Sequence, residues 1–579
     1  MMMLVCTRAY HLVAHNLILG RSFHFLEMSR SSLCCSLLLQ LLLIVACLSP
    51  LVQSFSQGAP TKMGIVASKN KSEGASSQKE KKQEQQDVGQ PAPPADTNDE
   101  KKQPSKSALK KAAKTNHKWK AYVAEFKSQV LDEAYISAPI RANIIEASEL
   151  YPKSESSTQE CLLPGSHKHL GGAYDPTDGC IYGVPANSKA VLCLYPDTKD
   201  GGDGSSYKMT SIPLPDSVKN TQMKWLRGIF QGGYLWAIPA WANAVLCVDV
   251  DAFWGRREAD GDIVKLLDLP EEHPKGMTWQ WHGAGINKQK DAIYCIPSNA
   301  QKVLKVDLKT KTTSLIPIDY DEAKYPSFKI DLSNKFYGGI LGEDNCVYGV
   351  PYRSCAVLRI DCDNDSASLV GPDYGVAGYN WHGGIQIGGK IYAHPSHADD
   401  LVLVINTNPD CPRDEICTEL PIKRAEYDKD DRKNFKWLGG SVGADGNIYC
   451  PACDTSSILR IDTKTDECTT FGFAGKMKNK WQGGVYSPSD QCIYCIPASG
   501  HHILRIYTGT DVEGEKPVQL LGEVPKHKDK WQGGHVGLDG RLYFIPENGY
   551  RVMKVTPPKQ PPKIVDGKLP DGDVLVEYM

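Results

Sequence analysis

From His169 onward, short apolar runs alternate with polar or small residues, and the runs recur in one fixed order. A clear copy reads Trp481-Gln482-Gly483-Gly484, then Ile493-Tyr494-Cys495-Ile496-Pro497, then Ile503-Leu504-Arg505-Ile506. The next reads Trp531-Gln532-Gly533-Gly534, Leu542-Tyr543-Phe544-Ile545-Pro546 and Val552-Met553-Lys554-Val555. Traced backward, the leading position holds His169, Trp225, Trp281, Phe336, Trp381, Trp437, Trp481 and Trp531, at intervals of 44 to 56 residues. A second aromatic follows each (Tyr182, Trp236, Tyr294, Tyr348, Tyr392, Tyr449, Tyr494, Tyr543), with a proline soon after.

Each unit predicts four strands. The first carries Trp-x-Gly-Gly. A turn such as Asp178-Gly179, Asp445-Gly446 or Asp539-Gly540 leads to the second, which ends at proline, a residue unable to donate in a ladder. The third reads Val/Ile-Leu-x-Ile/Val, and the fourth varies, as in Val264 to Leu269. Four-stranded units repeated at this period predict an all-β chain folded as an eight-bladed β-propeller over residues 160–557, with 558–579 as a C-terminal tail. The last unit lacks a clear fourth strand, and Glu160-Cys161-Leu162-Leu163-Pro164 is expected to supply it and close the ring. Glycine pairs suit first strands crowded around an axis, and the large aromatics suit the space between sheets.

Ahead of the repeat the pattern changes. Residues 33–52 are an apolar run inside a region, 1–56, that reads as a secretory signal peptide or, uncleaved, as a membrane tether. Ser54-Phe55-Ser56 and the acid-free stretch after it offer a two-part plastid address as the alternative. Residues 57–106, rich in Lys, Gln, Glu, Ser and Pro, predict a disordered spacer. Within 107–151, Trp119, Tyr122, Val123, Phe126, Val130 and Leu131 share one face of a short α-helical segment.

The blade pattern resembles the propellers of the NHL and virginiamycin B lyase-like type, where a glycine-containing strand, an aromatic strand and a strand ending Ile-x-Arg-Ile also recur. The resemblance runs from His169 to Pro557 and specifies a blade rather than an activity. What it implies for chemistry is a histidine and a divalent metal at one end of the propeller. His282 and His382, each in Trp-His-Gly or its close equivalent, occupy a comparable slot and become the catalytic candidates of a lyase or hydrolase. With His397 and His501 they are also the metal candidates, a divalent metal being the candidate cofactor.

Formal charge adds a limit: 66 basic against 68 acidic residues, net −2, gives no reason to expect nucleic-acid binding. Locally, Lys168, Lys224, Lys335, Lys436, Lys480 and Lys530 precede the leading aromatic, and Tyr337, Gln482 and Gln532 follow it. Together they predict a positive rim at the channel mouth that receives an anionic small molecule or a protein, against the alternative that each lysine merely covers its own aromatic. Cys450-x-x-Cys453 and Cys492-x-x-Cys495 have zinc-like spacing, but Cys450 and Cys495 share one slot of the repeat, which marks them as packing residues. In an oxidising compartment Cys411–Cys417 and Cys180–Cys193 are disulfide candidates. Asn70 and Asn364 lie in glycosylation sequons. The expectation is a monomeric, secretory-pathway propeller that binds or scaffolds, with the metal-dependent enzyme as the alternative.

Overall fold

The computed structural model describes residues 165–376, 378–426 and 434–579. The predicted signal region, spacer and helical segment, and the strand expected at Glu160–Pro164, lie outside the described residues. The first sheet runs His169–Tyr174, Ile181–Pro185, Ala190–Pro196, Tyr207–Pro213, paired in that order and antiparallel throughout. The same meander then repeats, its inner strands being Trp225–Gln231, Trp281–Ile286, Phe336–Leu341, Trp381–Ile387, Ser441–Val442, Trp481–Ser487 and Trp531–Val536. Two outer edges are elaborated. Ile318–Asp319 adds a parallel strand to Ser366–Val370, and Ile422-Lys423 pairs in parallel with Cys468-Thr469, fusing two neighbouring meanders into one sheet.

The repeated aromatics fill the gaps between sheets. Trp225, Trp281 and Trp437 are wholly buried, and their indole N–H groups donate to Ala244 O, Lys302 O and Ser457 O at 2.8–3.0 Å. Trp381, Trp481 and Trp531 make the same bond to Leu401 O, His502 O and Arg551 O. A buried indole thus keeps its apolar area while satisfying its one donor. The second aromatic is anchored by the turn that precedes it. Tyr348, Tyr449, Tyr494 and Tyr543 donate their hydroxyls to Asp344, Asp445, Asp490 and Asp539 at 2.7–2.8 Å. Asp445 and Asp539 also accept from turn N–H groups, so one carboxylate shapes the hairpin and holds the aromatic.

The six lysines do not form a rim. Each is buried, with its ammonium group donating to backbone carbonyls. Lys480 Nζ donates to Cys453 O, Thr455 O and Met477 O at 2.7–2.9 Å, and Lys530 Nζ to Ala498 O, Gly500 O and His527 O at 2.8–3.2 Å. Lys335 reaches Ser298 O and Leu332 O, Lys436 reaches Ala398 O, Lys224 reaches Thr221 O and Lys168 reaches Gly165 O. Gln280, in the same slot, does this with a neutral amide, donating to Ala242 O at 2.9 Å. The backbone repeats the joint: Lys480 N–H donates to Cys453 O in the preceding sheet, and Lys480 O accepts from Ala498 N in its own. Burial pulls Lys168, Lys224, Lys335 and Lys530 down to about 8, so these charges are held inside at a desolvation cost rather than displayed.

The ring closes through the same joint. Lys168 N–H donates to Glu547 O of the last sheet at 3.0 Å, and His167 N–H donates to Asn548 Oδ1 at 2.7 Å. Ile181, Leu192 and Leu194 pack with Tyr543, Ile545 and Val552, and Leu538 N–H donates to the Tyr207 hydroxyl across the seam. The strand that completes the last sheet is Leu575–Tyr578, paired with Met553–Thr556. Residues 558–579 therefore belong to the folded ring, not to a tail, and the edge expected for Glu160–Pro164 is already taken. Every cysteine described is a free thiol. The register explains this for one expected disulfide: Cys193 stands opposite Tyr182, so Cys180 has no facing thiol.

Two outcomes test these packing roles. Lys530→Met leaves three carbonyls without their donor and is expected to lower stability by about 1–3 kcal/mol in urea titration, whereas Lys530→Gln, copying Gln280, loses less. A chain ended at Pro557 loses the Leu575–Tyr578 strand and Asp573, which binds the fully buried Arg505 at 2.8 Å. It is expected to lose about 3 kcal/mol or more, and an unchanged midpoint would contradict the assignment of that strand.

Candidate functional site

The inner strands converge on a cavity of about 490 Å³. In most of the first hairpins the register slips between the leading aromatic and the second glycine, as between Trp381 and Gly384. This bulge turns the residues after the aromatic toward the axis. The first glycine of the pair takes a left-handed backbone: φ is +82° at Gly171, +72° at Gly383 and +71° at Gly483. Where backbones cross most closely no side chain fits, since a Cβ on Gly283 would stand 1.9 Å from Gly338 O.

One unit breaks this rule. The second reads Trp225-Leu226-Arg227-Gly228, and Arg227 sits in the first-glycine slot with φ +64°. An L-residue in that conformation costs about 1–2 kcal/mol. Its side chain projects into the cavity and remains exposed there. No hydrogen bond or ion pair reaches its guanidinium from any described residue. The protein packed around the cavity lowers it from the usual arginine range by desolvation, although its own surface stays exposed to the cavity.

Around it lie His282, His382, His394 and His535, with Gln482 and Gln532; Ile229, Ile238, Ile340, Ile385, Leu438 and Ile496 supply apolar wall. Among the described residues, no aspartate or glutamate lines this cavity. The His282 ring stacks on Tyr337 with centroids 3.5 Å apart and planes at 7°, and Tyr337 stacks on Tyr352 at 4.0 Å. His382 stands edge-on to both, its centroid 6.1 Å from His282 and 5.0 Å from Tyr337. His394 Nδ1 lies 3.4 Å from Cys450 Sγ, and His535 stacks on Tyr174. Gln482 donates to Asn479 Oδ1 at 2.7 Å. His282 Nδ1 and Gln532 Oε1 are buried with no partner among the described residues.

All four imidazoles are held neutral. Burial, and after it the Arg227 charge, pushes His282 well below 6.5 and His382 down to about 3. Burial brings His394 and His535 to about 4. Among the described residues the cavity therefore contains one permanent cation, set among neutral hydrogen-bonding groups.

The structure brings His282, His382, Gln482 and Gln532 to this cavity and places Tyr337 beside it. It does not bring His397 or His501. His397 packs on Tyr379 and Phe435 with centroids 5.1 and 4.6 Å away, and His501 belongs to the loop whose carbonyl accepts from Val524. Nor do His282 and His382 fit a divalent metal: no carboxylate joins them, and the guanidinium whose field lowers both would repel a dication. Reading the repeat at the position after the aromatic found two histidines and two glutamines. Reading one residue further, where glycine gives way to Arg227, would have found the cation.

No family model matches this chain, and no curated protein matches it. Among solved structures it is similar to virginiamycin B lyase from Staphylococcus aureus, at 14% identity and TM-score 0.37, over 67% of this chain and 94% of that one. It is also similar to the computationally designed Ika8 protein, at 10% identity and TM-score 0.43, over 72% of this chain and 100% of that one. A third likeness is to the extracellular domain of a hybrid two component system from B. thetaiotaomicron, at 10% identity and TM-score 0.36, over 70% and 54% of the two chains. These are likenesses of fold, and no activity passes from them to this chain.

The imidazoles make acid stability a direct test. Above pH 6.5 they are neutral whether the chain is folded or not. As pH falls, the unfolded chain takes up protons first, so stability is lost below pH 6.5 and down toward the folded values, about 3 for His382 and about 4 for His394 and His535, with His282 also lowered. The melting temperature is expected to drop by about 5 °C or more between pH 7 and pH 4.5, and His535→Gln should flatten that slope.

Proposed function

We propose that this chain is an eight-bladed propeller of the secretory pathway that works as a binding module, receiving its ligand in the axial cavity. The observation that carries this reading is the cavity's inventory of recognition groups without an acid–base pair. It offers a cation, unpartnered buried atoms on His282 and Gln532, and apolar wall. A cavity of about 490 Å³ with a few convergent polar groups is of the size and make-up that small-molecule sites take.

Catalysis is less well served. A general acid or base works best with a pKa near the working pH. His382, at about 3, stays neutral through the physiological range, and no carboxylate among the described residues lines the cavity. A metal-dependent lyase or hydrolase built on His282 and His382 would also have to seat a dication beside Arg227. The secretory assignment rests on the apolar run at 33–52 and the spacer behind it. With the six lysines buried in the joints between sheets, the partner is an anionic small molecule or a slender protein segment that enters the axis, rather than a flat acidic surface.

Filling the cavity tests the proposal. In a thermal-shift screen of neutral, cationic and anionic small molecules, a ligand at a hundred times its Kd should stabilise the wild type by about 3 kcal/mol. Gln482→Trp, which occupies the axis, should lose that gain. Hits that stabilise both chains equally would put the ligand elsewhere and end the axial reading.

A further inference from the structure

We infer that Arg227 is an oxyanion-binding residue, and that the axial cavity takes a small molecule through a carboxylate or phosphate group. This inference rests on the axial reading and names the chemistry of its ligand.

The first support is conformational. The slot that Arg227 fills is left-handed in every unit, and glycine occupies it in the others: Gly171, Gly283, Gly338, Gly383, Gly439, Gly483 and Gly533 all have positive φ. Arginine there is strained, and no hydrogen bond or ion pair among the described residues offsets the strain. Strained non-glycine backbone is held where the surrounding structure enforces it, and such positions cluster at functional sites.

The second support is the missing counter-charge. Elsewhere in this fold several buried or half-buried arginines meet carboxylates. Arg256 meets Asp175, Asp178 and Asp251; Arg359 meets Asp344; Arg505 meets Asp490 and Asp573; Arg541 meets Asp539. Arg227 meets none among the described residues, in a cavity that no acid lines. A guanidinium presents five donors in a planar fork suited to two oxygens of one anion.

The third support is the company it keeps. Neutral imidazoles on His282 and His382 each carry one N–H, and a guanidinium beside neutral N–H donors attracts negative oxygen while repelling cations. The His282 ring is clamped flat against Tyr337, so its edge is fixed in direction before any ligand arrives. Gln532 adds an unpartnered acceptor, which gives the rest of the ligand a donor position to meet. Low-dielectric walls around one cation concentrate its field along the axis.

The test is calorimetric titration of the full chain in Tris–chloride at constant ionic strength with three probes: sodium malonate, sodium phosphate and malonamide, the uncharged counterpart of malonate. Wild type is expected to bind malonate or phosphate and to bind malonamide at least tenfold more weakly. Which anion binds distinguishes a planar carboxylate from a tetrahedral oxyanion. Arg227→Gly restores the residue found in the other units, so it should fold, melt no lower than wild type, and bind the anion at least tenfold more weakly. Arg227→Lys keeps the charge without the fork and should fall between. A lower melting temperature for Arg227→Gly with unchanged anion affinity would make Arg227 a packing residue and overturn the inference. Malonamide binding as tightly as malonate, unaffected by Arg227→Gly, would overturn it while leaving the axial site standing. Failure of all three probes to bind the wild type would overturn it as well, and the axial reading would then stand or fall on the Gln482→Trp comparison alone.

Discussion

Everything in this ring depends on how closely the inner strands approach one another. A Cβ on Gly339 would lie 2.4 Å from the Ala284 carbonyl carbon, and one on Gly283 would overlap Gly338 O. Such spacing is available only to backbone, so glycine pairs recur in six of the eight first strands, with Arg227-Gly228 and Gly283-Ala284 in the other two. Close approach at the centre forces the sheets to splay outward. The indoles and phenols of the repeat fill the widening gaps, where large flat side chains bury the most area for the least conformational freedom. The left-handed bulge at the first glycine then aims the neighbouring residues inward. The constraint that makes the ring possible also makes its cavity.

A ring of sheets must solve one joint many times over, and this chain solves it with a buried lysine or an amide. The lysine backbone bridges the preceding sheet to its own, and the ammonium group collects the carbonyls left over by the turns. Burying a charge is unfavourable unless it is fully hydrogen-bonded, and three carbonyls around Lys480 or Lys530 provide that. The seam between the last and first sheets uses the same bond, from Lys168 N–H to Glu547 O. No strand has to be exchanged between the chain ends, because Leu575–Tyr578 completes the last sheet from its own side.

Much of this was legible in the repeat. The leading aromatics, the glycine pairs, the Asp-Gly turns and the proline-ended second strands all stand where their spacing placed them. The last strand was not legible, because Leu575–Tyr578 is four residues long and lies far beyond the third strand, across a stretch rich in Pro, Gly and Asp. The lysines were misread for a physical reason. A charged residue at the start of a strand is ordinarily solvated, and nothing in one sequence reveals that carbonyls of the neighbouring sheet converge on it. Asp445 and Asp539 were read as turn formers, which they are, but the tyrosine hydroxyls they also hold come from register that spacing alone does not supply.

In a repeat protein, structural polarity and functional polarity separate by periodicity. The buried lysines recur because every joint needs them, and so recurrence argues for architecture. Arg227 occurs once, in a slot where the backbone itself selects against it, and His535 and His394 likewise interrupt positions held by apolar side chains in most other units. The strain at Arg227 and the absence of an acid beside it among the described residues are both local costs, and the anion site proposed for the axial cavity gives the guanidinium a use. A mutation toward the repeat's own glycine would improve the fold by local criteria. Arginine at this one position makes the exception, rather than the pattern, the feature on which the proposed anion site rests.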